Sequence, residues 1–249
     1  MELRCTQCGA TLEVAPDVRL LACPYCGTAL AVSSAGALFN EVMRPTVGAA
    51  EAAAHVRRFL AGRRTVAGLD RQARLEEPEL EYFPFWAFTV RGGAGERTVL
   101  MPAAPDSLQG LQGLTLPAGE TRTMSAEVAG GARVVPPEIP LETAEAWLRE
   151  REGSVAVERR VLYHLPLYRI AYHWRGRRYA AAVDAVSGRV FHADYPAKAE
   201  APYLLVAGLA LAVFGIEGLV IGNLLVKLAV YLVSSPPILL IAWLTARRV

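Results

Sequence analysis

Tyr203–Gly222 (YLLVAGLALAVFGIEGLVIG) and Leu224–Leu244 (LLVKLAVYLVSSPPILLIAWL) are apolar runs of 20 and 21 residues, each interrupted by a single charge, Glu217 and Lys227. Each is long enough to cross a bilayer as a helix. Only Asn223 separates them, so a tight turn at Gly222-Asn223 folds the pair into a transmembrane helical hairpin whose outer ends share one side of the membrane. Those ends carry Lys198, Arg247 and Arg248, which orients them to the cytoplasm. A hairpin buried in a soluble protein is the competing reading, weakened by apolar character all round both helices. Pro236-Pro237 removes two amide donors from the second run, which then either spans with a kink or re-enters.

Everything before this tail reads as soluble structure. The chain has 249 residues, with 26 Lys+Arg against 24 Asp+Glu. Residues 201–249 hold three of the basic and one of the acidic groups, leaving 23 of each in the first 200 residues. A neutral soluble part argues against nucleic-acid binding, which needs an excess of cations facing phosphate. The N-terminus MELRCTQCGA is polar and contains no apolar segment of the kind a secretion signal needs, so the expected anchor is C-terminal.

All four cysteines lie in residues 1–32, as Cys5-Thr-Gln-Cys8-Gly and Cys23-Pro-Tyr-Cys26-Gly with 14 residues between the pairs. A Cys-x-x-Cys turn aims two sulfurs at one point, and two such turns complete a tetrahedral site for which zinc is the default metal. Short strands are expected at Thr11–Val14, Arg19–Ala22 and Ala29–Val32. So small a unit buries little core, and bound metal supplies its folding energy. Rubredoxin-type iron and a disulfide framework are alternatives; the first prefers more widely spaced pairs, and the second suits an oxidising compartment. Arg4 and Arg19 face Glu2, Glu13 and Asp17 in composition, so the ribbon is acidic and suits protein docking better than nucleic acid.

Ser33–Gly36 reads as a linker, and Thr46 as the cap of a helix through Leu60 that stops at Gly62. Arg57, Arg58, Arg63 and Arg64 gather at its end. They suit either anionic lipid or the helix dipole, and the acids Asp70, Glu76, Glu77, Glu79 and Glu81 favour the second by compensating their charge. Leu80–Val90 (LEYFPFWAFTV) is strand broken by Pro84. The order then recurs: helix at Leu141–Glu152 with Ala144, Trp147 and Leu148 on its inner face and Gly153 as a stop, then strand at Val155–Tyr172 containing Pro166. Aligning the two prolines gives an internal duplication with an offset of 82 residues, over about 40–110 and 135–197. Ser187-Gly188 turns between two strands of the second copy, and Ala94–Pro137 reads as extended connection.

The Cys-Pro-Tyr-Cys-Gly knuckle, the Tyr82-Phe-Pro-Phe-Trp86 segment and Val183-Asp-Ala-Val-Ser-Gly-Arg-Val190 together resemble bacterial TFIIB-type zinc-ribbon-containing membrane proteins, over most of residues 5–195. Val183–Gly188 bears a slighter likeness to PepSY-like modules. The first resemblance implies no enzymatic activity, and it implies a protein partner of the SPFH (stomatin-like) or phage-shock-protein-A-like scaffold type.

His55, His164, His173 and His192 form no ligand spacing with one another or with cysteine, and no phosphate-binding loop, nucleophile elbow or HExxH helix is present. Asp184, His192 and Asp194 are the one set that folding can bring together. The expected fold is α+β: a four-cysteine zinc ribbon at 1–32 with Cys5, Cys8, Cys23 and Cys26 as ligands, a duplicated helix-plus-antiparallel-strand domain at 33–200, and a transmembrane hairpin at 201–249. The expected role is a non-enzymatic adaptor in the inner membrane, multi-pass with both termini cytoplasmic, that recruits a cytoplasmic or membrane protein, with self-association a further option. The alternative is a membrane-tethered zinc-ribbon factor that binds nucleic acid or regulates.

Overall fold

The computed structural model describes residues 1–92, 95–108, 110–198 and 201–248. It is a mixed α+β structure. Its strands are β1 (Glu2–Arg4), β2 (Thr11–Glu13), β3 (Leu20–Ala22), β4 (Ala29–Ser33), β5 (Gly36–Met43), β6 (Arg74–Leu75), β7 (Glu79–Gly92), β8 (Gly95–Pro102), β9 (Thr121–Thr123), β10 (Arg133–Val134), β11 (Ala156–Trp174), β12 (Arg177–Asp184) and β13 (Val190–His192). The helices are α1 (Ala49–Leu60), α2 (Leu69–Gln72), α3 (Ala126–Ala129), α4 (Leu141–Glu152), α5 (Ala201–Val220) and α6 (Leu224–Arg248). Two compact units form: Met1–Phe59 with Gln72–Tyr195, and Leu60–Arg71 with Pro196–Val249.

In the first unit an 11-stranded sheet is built around β7 and β11, which pair antiparallel with Pro84 opposite His164 and Tyr82 opposite Pro166. The aromatic run in β7 is buried on both faces. Phe83, Phe85 and Ala87 pack on one side with Val161, Leu165, Leu167, Leu108 and Leu111. Trp86, Phe88 and Val90 pack on the other with Leu162 and the α4 residues Leu141, Ala144 and Leu148. The two-residue period of a strand explains this division, and covering both faces explains why the run is apolar throughout rather than alternating.

β7 continues through Pro84 and β11 through Pro166, contrary to the broken strand expected at Pro84. Each proline sits where the outer partner of its strand changes. On β7, β10 pairs up to Tyr82 and β8 starts at Phe85; on β11, β5 pairs up to His164 and β12 starts at Leu167. A missing N–H costs little at such a gap in the ladder.

Other local expectations fare differently. α4 runs from Leu141 to Glu152 and ends where the amide of Gly153, at φ 73°, donates to the Arg149 carbonyl. Trp147 stays 41% exposed, so the inner face of α4 is Leu141, Ala144 and Leu148. Thr46 does not cap α1: its hydroxyl donates to the Val186 carbonyl at 2.9 Å, and the helix begins at Ala49. Ser33–Gly36 is the turn of an antiparallel β4–β5 hairpin rather than a free linker. Within the stretch expected to be extended connection, β8 forms eight antiparallel pairs with β7. Ser187-Gly188 does lie between β12 and β13, where the Asp184 carboxylate accepts the Val186 amide at 2.8 Å and the Ser187 hydroxyl.

In the second unit, one helix is long and apolar enough to cross a bilayer among the described residues: Leu224–Leu244 within α6, with mean hydropathy 2.0. The apolar stretch of α5, Val206–Val220, is shorter. Asn223 precedes α6 and its side-chain oxygen accepts the amide of Leu225 at 3.0 Å, an N-cap. α6 is helical through Pro236 and Pro237. Three hydrogen bonds join the helices: Lys227 Nζ donates to the Gly218 carbonyl at 2.8 Å, Tyr231 to the Phe214 carbonyl at 3.2 Å, and Ser234 to the Glu217 carboxylate at 3.1 Å. Lys227 and Glu217 therefore each have a neutral partner. Neither charge pairs with the other.

Candidate metal centre

Both knuckles are the same local structure. In the first, the Cys5 amide donates to the Ala10 carbonyl and the Gly9 amide returns to the Cys5 carbonyl, at 2.9 and 3.0 Å. In the second, Cys23 bonds Thr28 and Gly27 bonds Cys23 at 2.9 and 2.8 Å. Gly9 and Gly27 have φ of 73° and 74°, a left-handed conformation that a side chain would strain. β1 and β2 carry the first knuckle, β3 and β4 the second. Leu3, Leu12, Val14, Leu30 and Ala37 fill the space under them, so β5 of the main sheet contributes to the ribbon's core.

These turns bring all four sulfurs within 4.8 Å of one another. Cys5 and Cys26 lie 3.7 Å apart, Cys8 and Cys23 3.8 Å. The four cysteines are free thiols, with Cys5 and Cys23 buried and Cys8 and Cys26 exposed. An ideal tetrahedron with metal–sulfur bonds of about 2.3 Å has sulfurs about 3.8 Å apart, so the set fits a metal ion. It far exceeds the S–S bond of about 2 Å that a disulfide needs. Hydrogen bonds from the Thr28 side chain and backbone hold the Cys26 thiol down at about 6, while, against the Ala10 backbone, burial and the neighbouring sulfurs push Cys8 up to about 12, so the metal-free cluster favours one thiolate rather than four. Four cysteine ligands would complete the tetrahedral shell of a bound ion, the arrangement of a structural site.

The histidines stay apart from this centre. His164 is fully buried, and burial pushes its pKa down to about 4 against the smaller opposing pull of the Val135 and Glu41 backbone. His173 hydrogen-bonds Glu76 at 2.6 Å, and Arg178 donates twice to the same carboxylate at 3.0 Å. His192 stacks on Phe59 at 5.0 Å, and His55 lies near Arg58 at 3.4 Å. Asp184 serves its own turn and Asp194 accepts from Arg177 at 3.0 Å, so no hydrogen bond among the described residues joins Asp184, His192 and Asp194. A part-buried cluster, missed in the sequence for want of any local pattern, sets Arg169 between Glu81 and Asp106. Arg133 also reaches Glu81, at 3.9 Å, so the two carboxylates meet two guanidinium groups. Among the described residues, the cysteines are the group whose geometry suits a metal.

No family model matches this chain, and no curated protein or solved structure matches it.

Proposed function

We propose that the protein is a membrane-anchored adaptor: a zinc-bearing ribbon presented by a duplicated α+β domain, with α5 and α6 as a transmembrane hairpin that holds it at the inner membrane. The observation that carries the adaptor reading is Tyr25. It stands 72% exposed on the second knuckle, between two cysteines whose backbone is fixed and beside a groove whose lining includes the partly buried Val18 and Leu21 together with Pro24, Thr11 and Glu13. A rigid aromatic next to a groove is a common anchor for a protein partner. The resemblance to TFIIB-type zinc-ribbon membrane proteins points to an SPFH or phage-shock-type scaffold as that partner. The three hydrogen bonds between α5 and α6 support the hairpin, because each satisfies a polar group that hydrocarbon would otherwise strand.

The duplication is supported by register. The β7–β8 hairpin ends and resumes at Gly92 and Gly95, and the β11–β12 hairpin at Trp174 and Arg177, each displaced by the same 82 residues. Phe85 pairs with Pro102 as Leu167 pairs with Asp184, again 82 residues on. β10 with α4 repeats β5 with α1 at a larger displacement of 92: Ala49–Leu60 becomes Leu141–Glu152, and Val42, paired to His164, becomes Val134, paired to Tyr82. The difference lies in the connection after the helix, residues 61–73 in the first copy and 153–155 in the second. Each copy thus lends its first strand to the long strand of the other.

A photo-reactive amino acid at position 25 of the full-length chain, irradiated in native membranes, tests the adaptor reading. One dominant protein adduct, lost when the partly buried Val18 and Leu21 are changed to Ser while the metal content stays at wild-type level, is the expected result. Nucleic-acid binding that weakens steeply with salt in a filter assay would instead assign the ribbon to a nucleic-acid factor.

A further inference from the structure

The ten extra residues in the first copy fall in the connection 61–73, of which residues 61–71 belong to the same compact unit as α5 and α6. Backbone hydrogen bonds pin it there. The Val66 amide donates to the Pro196 carbonyl at 3.0 Å, the Lys198 amide to the Arg64 carbonyl at 3.0 Å, and Thr65 forms a bridge with Ala197. The Thr65 hydroxyl, in turn buried, donates to the carbonyls of Leu60 and Gly62 at 2.7 Å and so fixes the turn that presents Arg63 and Arg64. Both arginines are exposed, and neither side chain has a hydrogen-bond or ion-pair partner among the described residues. Two acids that by sequence compensate them are committed elsewhere, Glu76 to Arg178 and His173, and Glu81 to Arg169. Lys198, tied to Arg64, precedes the start of α5 by three residues, a span of at most about 11 Å. That is close to the screening length of about 8–10 Å in physiological salt.

We propose that residues 62–66 form an anionic-lipid contact, in which Arg63 and Arg64, held beside Lys198 at the entrance to α5, bind the phosphate headgroups of the leaflet from which α5 enters. The proposal rests on the membrane reading of α5 and α6. The occupant is lipid rather than a free anion because the cations are fixed by backbone bonds to the segment that leads into an apolar helix. A pair of guanidinium groups also suits phosphate oxygens better than a diffuse charge does.

The test uses the full-length chain, first washed in membranes with alkaline carbonate, then purified in neutral detergent and titrated with phosphatidylglycerol or phosphatidylcholine under native mass spectrometry. Expected is a preference for phosphatidylglycerol that falls by about five-fold for each of Arg63→Gln and Arg64→Gln, and that rising salt weakens. Arg63→Lys with Arg64→Lys keeps the charge and most of the preference, and guards against a variant that merely misfolds. Equal preference in wild type and the double Gln variant would overturn the proposal. So would a chain that resists carbonate yet binds both lipids alike, an outcome that leaves the membrane reading standing. Release by carbonate would remove both readings together. Displacement of phosphatidylglycerol by millimolar inorganic phosphate would reassign the arginines to a free anion and overturn the lipid contact.

Discussion

Ala103 donates its backbone amide to the carbonyl of Pro84 at 3.0 Å. Ala185 does the same to Pro166 at 2.9 Å, so the residue that leaves each hairpin ties back to the proline at which its partner strand changes neighbours. Both alanines are fully buried, and the carbonyl left alone by Ala103→Pro or Ala185→Pro would have no water to turn to. Each substitution is expected to cost about 1–3 kcal/mol, read as a fall in the chemical-denaturation midpoint. A loss at one position and none at the other would argue against equivalent roles.

Trp86 and Trp147 separate burial from periodicity. Trp86 is 3% exposed and donates its indole N–H to the Ile139 carbonyl at 2.8 Å, whereas Trp147 lies 41% exposed on α4. Trp86→Ala should cost about 3–5 kcal/mol, and Trp147→Ala under about 1 kcal/mol. Thermal melts of the two variants in one detergent check the ranking.

Purified protein should carry about one zinc per chain by elemental analysis, since the sulfurs already stand at tetrahedral spacing. Cys23→Ser should release the metal and expose residues 1–32 to protease while β7 and β11 stay protected from hydrogen exchange. Iron with visible absorption, or freshly reduced protein without metal, would contradict the zinc assignment.

Acid should weaken the fold through His164. Its folded pKa of about 4 lies below its ordinary value of 6.5, so the unfolded chain binds the proton first. The stability contributed by the neutral ring is present above pH 6.5 and is lost as pH falls from 6.5 to 4, by about 3 kcal/mol. His164→Leu should flatten that part of the pH profile relative to wild type, measured by denaturant titration at pH 7 and pH 4.5.

Lys227 bonds the Gly218 carbonyl and Glu217 bonds Ser234, so each charge has a neutral partner on the facing helix. Lys227→Met and Glu217→Gln, which remove one charge each without setting two like charges side by side, are each expected to destabilise the chain in micelles. Ser234→Ala should weaken it too, by about 1 kcal/mol, through the carboxylate it leaves unpaired. Unchanged stability in all three variants would show that these bonds do not hold the two helices together.

Signals local in sequence were legible from the residues alone. The spacing of Cys5, Cys8, Cys23 and Cys26 fixed a four-sulfur cluster because a Cys-x-x-Cys-Gly turn is a property of five consecutive residues. Leu141–Glu152 could be bounded from its helical period and Gly153 for the same reason. Interactions across long sequence separations were decided by tertiary structure. Thr46 looks like a cap until Val186, 140 residues away, takes its hydroxyl. Trp147 has the helical spacing of a core residue, yet the sheet it would pack on is filled by Trp86, Phe88 and Leu162. Glu76 looks like compensation for nearby arginines until β11 and β12 bring His173 and Arg178 to it, about 100 residues on. Charges and hydroxyls choose partners by distance in space, and only the folded strands set that distance.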